Sequence, residues 1–82
     1  ISTSKLNAFL NSATRELNPP AVKGKNIKIK YMTQVHYGPP IFALFTNYPN
    51  LMPITYKRYL ENKLRKSFGF KGVPIKLTFR KK

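Results

Sequence analysis

Sixteen lysines and arginines stand against two acids, Glu16 and Glu61, and this imbalance limits what the chain can fold into. A buried charge without a partner is costly, so almost every cation has to reach water. The cations are not collected in a tail. They are threaded through segments that otherwise read as core formers, so each element needs one apolar side and one charged side. Eighty-two residues, 41% of them apolar, suffice for one small domain with a modest core and leave no room for a second. Six Phe and five Tyr argue for a folded chain in spite of the net charge of +14. Such a surface suits a polyanion or an acidic protein partner.

The apolar spacing predicts where the elements lie. Leu6, Phe9, Leu10, Ala13 and Leu17 follow helical periodicity, with Thr3 or Ser4 available as the cap and Asn18-Pro19-Pro20 as the stop. Residues 21 to 26 read as a flexible basic loop. From Ile27 to Val35 the residues alternate, placing Ile27, Ile29, Tyr31, Thr33 and Val35 on one face and Lys28, Lys30, Met32 and Gln34 on the other. The tract from His36 to Pro40 breaks that strand. Ile41 to Thr46 is apolar on both faces, as a central strand would be. After a loop from Asn47 to Pro53, a helix is predicted from Ile54 to Phe68, with Tyr56, Leu60, Leu64 and Phe68 on its apolar side and Gly69 as its terminator. Within it, Glu61 and Arg65 have the spacing of an ion pair. A last strand from Ile75 to Arg80 turns Ile75, Leu77 and Phe79 inward. The order α-β-β-α-β implies an α+β, two-layer sandwich: a three-stranded sheet with both helices on one face. Its other face would be a basic open sheet with an apolar middle.

Catalysis and metal binding find little support. His36 is the single histidine and has no acid or nucleophile near it in sequence to orient it. There is no cysteine, and with two carboxylates the ligands for a metal site are lacking. No phosphate-cradling loop of the Gly-x-x-x-x-Gly-Lys type is present, so the chain by itself reads as a binding module and not an enzyme, with no cofactor of its own. Gly69-Phe70-Lys71-Gly72 matches the Gly-x-x-Gly string of nucleic-acid clamps, but a helix cap followed by a turn explains both glycines. No apolar run is long enough to span a bilayer, and both helices spend their apolar stripes on the sheet, which argues against a membrane partner.

A phosphate-binding surface fits the cations best. Lys28, Lys30, Lys76, Arg80, Lys81 and Lys82 are the candidate RNA contacts, with Arg58, Arg65 and Lys66 as a second patch on the helix. Tyr37 and Tyr48, both in predicted loops, are the candidates for base stacking. Tyr31, Tyr56, Phe42, Phe45 and Phe79 read as core.

The run from Tyr56 to Arg65 resembles the C-terminal KH-like domain of the Der (EngA) family, bacterial GTPases with two tandem G domains. The segments Ile1–Asn7, Pro20–Lys25, Thr33–His36 with Pro39 and Pro40, and Phe68–Ile75 extend the resemblance over nearly the whole chain in the right order. The resemblance implies a KH-like fold and a cytoplasmic, monomeric module that acts in large ribosomal subunit assembly. Its partners would be ribosomal RNA and its own G domains, and those upstream domains would hold GTP and magnesium. A start at Ile1 agrees with a piece of a longer protein. The family's KH-like domain lacks a working Gly-x-x-Gly clamp, and here the stretch from Asn47 to Pro53 contains no glycine. Two roles follow, RNA docking or intramolecular control of the G domains, and the residues leave both open. An independent small ribosomal-type protein is a third reading, against which the Der-like opening argues.

Overall fold

The computed structural model describes all 82 residues. Helix α1 runs from Thr3 to Glu16 and is capped by Ser2, whose hydroxyl accepts the Lys5 N–H at 3.2 Å. The cap lies before the predicted Thr3 or Ser4 because Ser2 still has extended backbone and the helix already begins at Thr3. Leu6, Leu10 and Ala13 are buried, while Leu17, the expected fifth member of the stripe, has left the helix and is 50% exposed.

Residues 21 to 26 are ordered as a small hairpin and not a flexible loop. Strand β1, Ala21–Val22, pairs with β2, Lys25–Asn26. Lys23 and Gly24 turn between them at φ 52° and 73°, both left-handed, as tight hairpin turns require. A lysine at the first turn position hid this signal in the sequence.

Three longer strands form the main sheet in the order β3–β4–β5: β3 is Ile29–Tyr37, β4 is Pro40–Thr46 and β5 is Lys76–Lys81. β3 pairs antiparallel with β4, which pairs in parallel with β5 across helix α2, Ile54–Phe68. A 3-10 turn, Pro49–Leu51, lies within the crossover. The α-β-β-α-β order and the central place of β4 agree with the expected α+β sandwich, with the short hairpin added.

β3 departs from prediction in phase. Its register against β4 shifts between Ile29 and Tyr31 and again between Gln34 and His36, leaving Lys30 and Val35 without cross-strand partners. Beyond the first shift the faces exchange, because one extra residue reverses every side chain that follows. Met32 now lies beside Leu44 and Phe79 on the helix side, 0% exposed, and Gln34 lies beside Phe42 and Leu77. Tyr31 and Thr33, predicted to face inward, go to the opposite face, and Val35 is 42% exposed.

The core is one cluster: Leu6, Leu10 and Ala13 from α1, Tyr56, Leu60 and Leu64 from α2, and Met32, Phe42, Leu44 and Leu77 from the sheet. Since these sheet residues share one face, both helices cover that face. Asn7 fastens α1 to the outer edge of β3, accepting the Met32 N–H at 3.0 Å and donating to the Met32 carbonyl at 3.2 Å. At the end of β4, the buried Thr46 hydroxyl donates to the Lys28 carbonyl at 2.7 Å, and the Asn47 side chain bridges Lys28 and Asn26. These bonds satisfy the backbone where the small hairpin joins the sheet. Gly69 ends α2 in the left-handed conformation at φ 72°.

Two phenols of α2 close the far end of α1. The Tyr56 hydroxyl donates to the Leu17 carbonyl, beyond the last helical turn, and the Tyr59 hydroxyl to the Ala13 carbonyl, which also accepts the Leu17 N–H; each phenol bond is 2.7 Å. Burial first, and the neighbouring Tyr59 second, push the Tyr56 hydroxyl up from 10.0 to about 12. The folded chain therefore holds this proton more tightly than the unfolded chain does. The resulting stabilisation is complete below pH 10 and is lost as pH rises toward 12. Tyr56→Phe should cost about 1 kcal/mol at neutral pH. In thermal melts, the gap between the parent chain and Tyr56→Phe should narrow between pH 10 and 12. A constant gap would show that the hydroxyl does not couple folding to its ionisation.

Candidate nucleic-acid interface

Because both helices pack on one side, the other side of β3–β4–β5 has no helix laid across it; Thr3, at the start of α1, reaches only its edge, with Oγ1 3.5 Å from Thr33 Oγ1. Cross-strand neighbours share a face, so the register defines three rows there. Tyr31, Phe45 and Arg80 form the first; Thr33, Ala43 and Thr78 the second; His36, Ile41 and Lys76 the third. In the first row the Tyr31 and Phe45 rings stack with centroids 4.6 Å apart and planes 17° from parallel. Lys82, held by its N–H to the Thr46 carbonyl at 3.1 Å, places Nζ 4.6 Å from the centre of the Tyr31 ring. The middle row is small and polar at its ends, and the third carries Lys76 beside Ile41.

Both acids lie elsewhere, Glu16 on α1 and Glu61 on α2, so the open face has no carboxylate. The chain's one ion pair joins Lys63 to Glu16 at 2.6 Å. That hydrogen bond, ahead of smaller opposing desolvation, raises the Lys63 pKa. The pairing expected from the spacing of Glu61 and Arg65 does not form, because the single bridge runs between helices and not along one.

The sequence-derived candidates divide among several places. Lys76, Arg80 and Lys82 gather on the open face, and Lys30 is exposed at the bulge next to Tyr31. Lys81 does not join them; its register partner is Thr46, on the helix side, and its Nζ lies 5.5 Å from the Tyr48 ring. Lys28 borders a cleft with Thr14, Asn18 and Pro19, near the end of α1. Arg58 and Lys66 are exposed and Arg65 is half-exposed on α2, whose buried stripe faces the sheet, so this patch belongs to the other layer. One short segment of ligand cannot touch both patches.

The stacking candidates change as well. Tyr37 is 71% exposed at the end of β3 and remains free. Tyr48 is already flanked, with Lys25 Nζ 5.3 Å from its ring centre on top of the Lys81 contact. Tyr31 and Phe45, read as core from the sequence, stand on the open face, whereas Phe42 and Tyr56 are buried and Phe79 packs against the core. For Phe45 the signal was available: an apolar run with Phe42 and Leu44 turned to the helices must turn Ala43 and Phe45 away from them. For Tyr31 it was not, since the bulge leaves no mark in the alternation.

Two motifs have structural explanations. Gly69 and Gly72 both have left-handed backbone, φ 72° and 75°, one capping α2 and the other in the turn before β5, as a cap and turn require. The His36 ring nitrogen Nδ1 lies 3.1 Å from the Pro39 carbonyl oxygen, a contact internal to the β3–β4 turn.

A family model described as the KH-domain-like of EngA bacterial GTPase enzymes, C-terminal, matches residues 1–80. The chain belongs to this family. It is 57% identical over 82 residues to a GTPase Der of Acetivibrio thermocellus, 52% identical to that of Fusobacterium nucleatum and 51% identical to that of Desulforudis audaxviator. Each comparison takes in 100% of this chain and 19% of the relative, so the chain spans about a fifth of the length of these curated relatives. No helix of this KH-like domain is long and apolar enough to cross a membrane.

The side chains of Lys76 and Arg80 have no acidic partner and make no hydrogen bond within the chain, so removing their charge should not weaken the fold. Lys76→Gln with Arg80→Gln should shift the thermal midpoint upward by less than about 4 °C, because mutual repulsion falls. A loss above about 1 kcal/mol in urea unfolding would instead assign these residues a structural role.

Proposed function

We propose that this KH-like domain docks on ribosomal RNA of the large subunit or its precursors, chiefly through phosphates, while attached to the G domains of a GTPase. GTP and magnesium belong to those domains, upstream of the residues described here. The observation that carries this reading is the uncovered sheet face, with Lys76, Arg80 and Lys82 around stacked aromatics and no carboxylate among them. Phosphate contacts of this kind position a protein without reading sequence, which suits attachment to a structured RNA surface. The name GTPase Der on its relatives supports the attachment to a GTPase.

The face's apolar middle favours a second reading. Ile41 and Phe45, both partly exposed, offer packing area to a protein surface, and under this reading the same face docks on a G domain and controls domain arrangement without RNA. One surface can serve both partners in turn.

Binding of the chain to large-subunit particles and to naked ribosomal RNA, measured across a salt series, separates the two. Under the RNA reading, log affinity falls against log salt with a slope of roughly −0.7 to −0.9 for each phosphate neutralised. Lys76→Glu with Arg80→Glu should reduce both slope and affinity, and particle binding should survive excess transfer RNA. Loss of particle binding to that competitor, or unchanged affinity in the charge-reversed variant, would contradict it and leave the regulatory reading.

A further inference from the structure

The geometry points to an unpaired RNA strand as the ligand of the open sheet, with a base stacked on the Tyr31–Phe45 pair; this inference rests on the RNA reading above and names the form of RNA. A surface that only neutralised phosphates would need cations and nothing else. This face instead commits two aromatic rings to the row that also holds Arg80, and neither ring belongs to the ten-residue buried core. The rings are already ordered against each other at 4.6 Å and 17°, so a base meets a fixed platform and little side-chain freedom is lost on binding.

The cations around the rings suit a nucleotide. Lys82 Nζ sits 4.6 Å from the Tyr31 ring centre, on an exposed side chain at the end of the described chain. A base arriving on that ring displaces the ammonium, which stays close enough to take the neighbouring phosphate. Arg80, in the same row, and Lys30, at the bulge beside Tyr31, offer charge on either side. Next to this row, Thr33, Ala43 and Thr78 are small and leave the face low, and about 7 Å further along the strands Lys76 supplies another cation. A duplex cannot use such a platform, because its base faces are stacked inside and it presents only phosphates and groove edges.

The test compares a uridine-rich oligonucleotide of about 12 nucleotides with a duplex of the same length, at matched salt. One uridine is replaced by 5-iodouridine, which photocrosslinks to a stacked aromatic side chain. The single strand should bind at least about tenfold more tightly than the duplex, and mass spectrometry should place the crosslink on Tyr31 or Phe45. Tyr31→Ser should lower single-strand affinity roughly fivefold to 150-fold and leave duplex affinity nearly unchanged, with circular dichroism checking the fold. The crosslink on the unaltered chain decides the matter even if that variant unfolds. Equal binding of both forms, or a crosslink on Tyr37 or Tyr48 alone, overturns stacking on this pair while RNA binding stands. Absence of binding to either form overturns both.

Discussion

Two helices can cover only one face of three strands, and the rest of the molecule follows from that shortage. The covered face collects Met32, Phe42, Leu44 and Leu77 beneath Leu6, Leu10, Leu60 and Leu64, a closed core for a chain of this size. The opposite face has no helix to take up its apolar residues. β4 is apolar throughout, so Phe45 and Ile41 emerge among cations on that side. An apolar middle within a basic rim is therefore a consequence of the layer count, and it is also what a surface needs to hold both the backbone and the base of a nucleotide.

The helix layer is tied to itself by polar bonds as much as by packing. The phenols of Tyr56 and Tyr59 reach carbonyls at the end of α1, and Lys63 meets Glu16 beside them. One of the two acids is thus used to join the helices, and the other, Glu61, stands on α2, so neither neutralises the sheet. Sixteen cations repel one another in any compact state, which weakens the fold relative to a balanced surface. Retaining that repulsion on an uncovered face makes sense where a polyanion relieves it.

Much of this organisation could be read from the residues. The helical stripes, the doubly apolar central strand, the glycine stop after Phe68 and the inward phase of Leu77 all follow from periodicity and turn chemistry, and the segments shared with the Der family supplied the fold. What escaped was where the backbone departs from regularity. The bulge around Lys30 exchanges the faces of β3, burying Met32 and presenting Tyr31, although the residues alternate without a break. Lys23 in a left-handed turn concealed the small hairpin in the same way. Candidate cations were easily counted, but their grouping depends on strand phase and layer. For that reason Lys76, Arg80 and Lys82 came together while Lys81, Arg58 and Lys66 went elsewhere.

The central claim is that the uncovered sheet, and not the outer surface of α2, meets RNA. Backbone amide shifts followed by NMR while a ribosomal RNA fragment is titrated into the chain test it most directly. The account predicts that the largest changes fall on Tyr31, Phe45, Lys76, Arg80 and Lys82, with Arg58, Arg65 and Lys66 nearly still. Changes confined to α2 or to the stretch from Asn47 to Pro53, with the sheet amides unmoved, would contradict it.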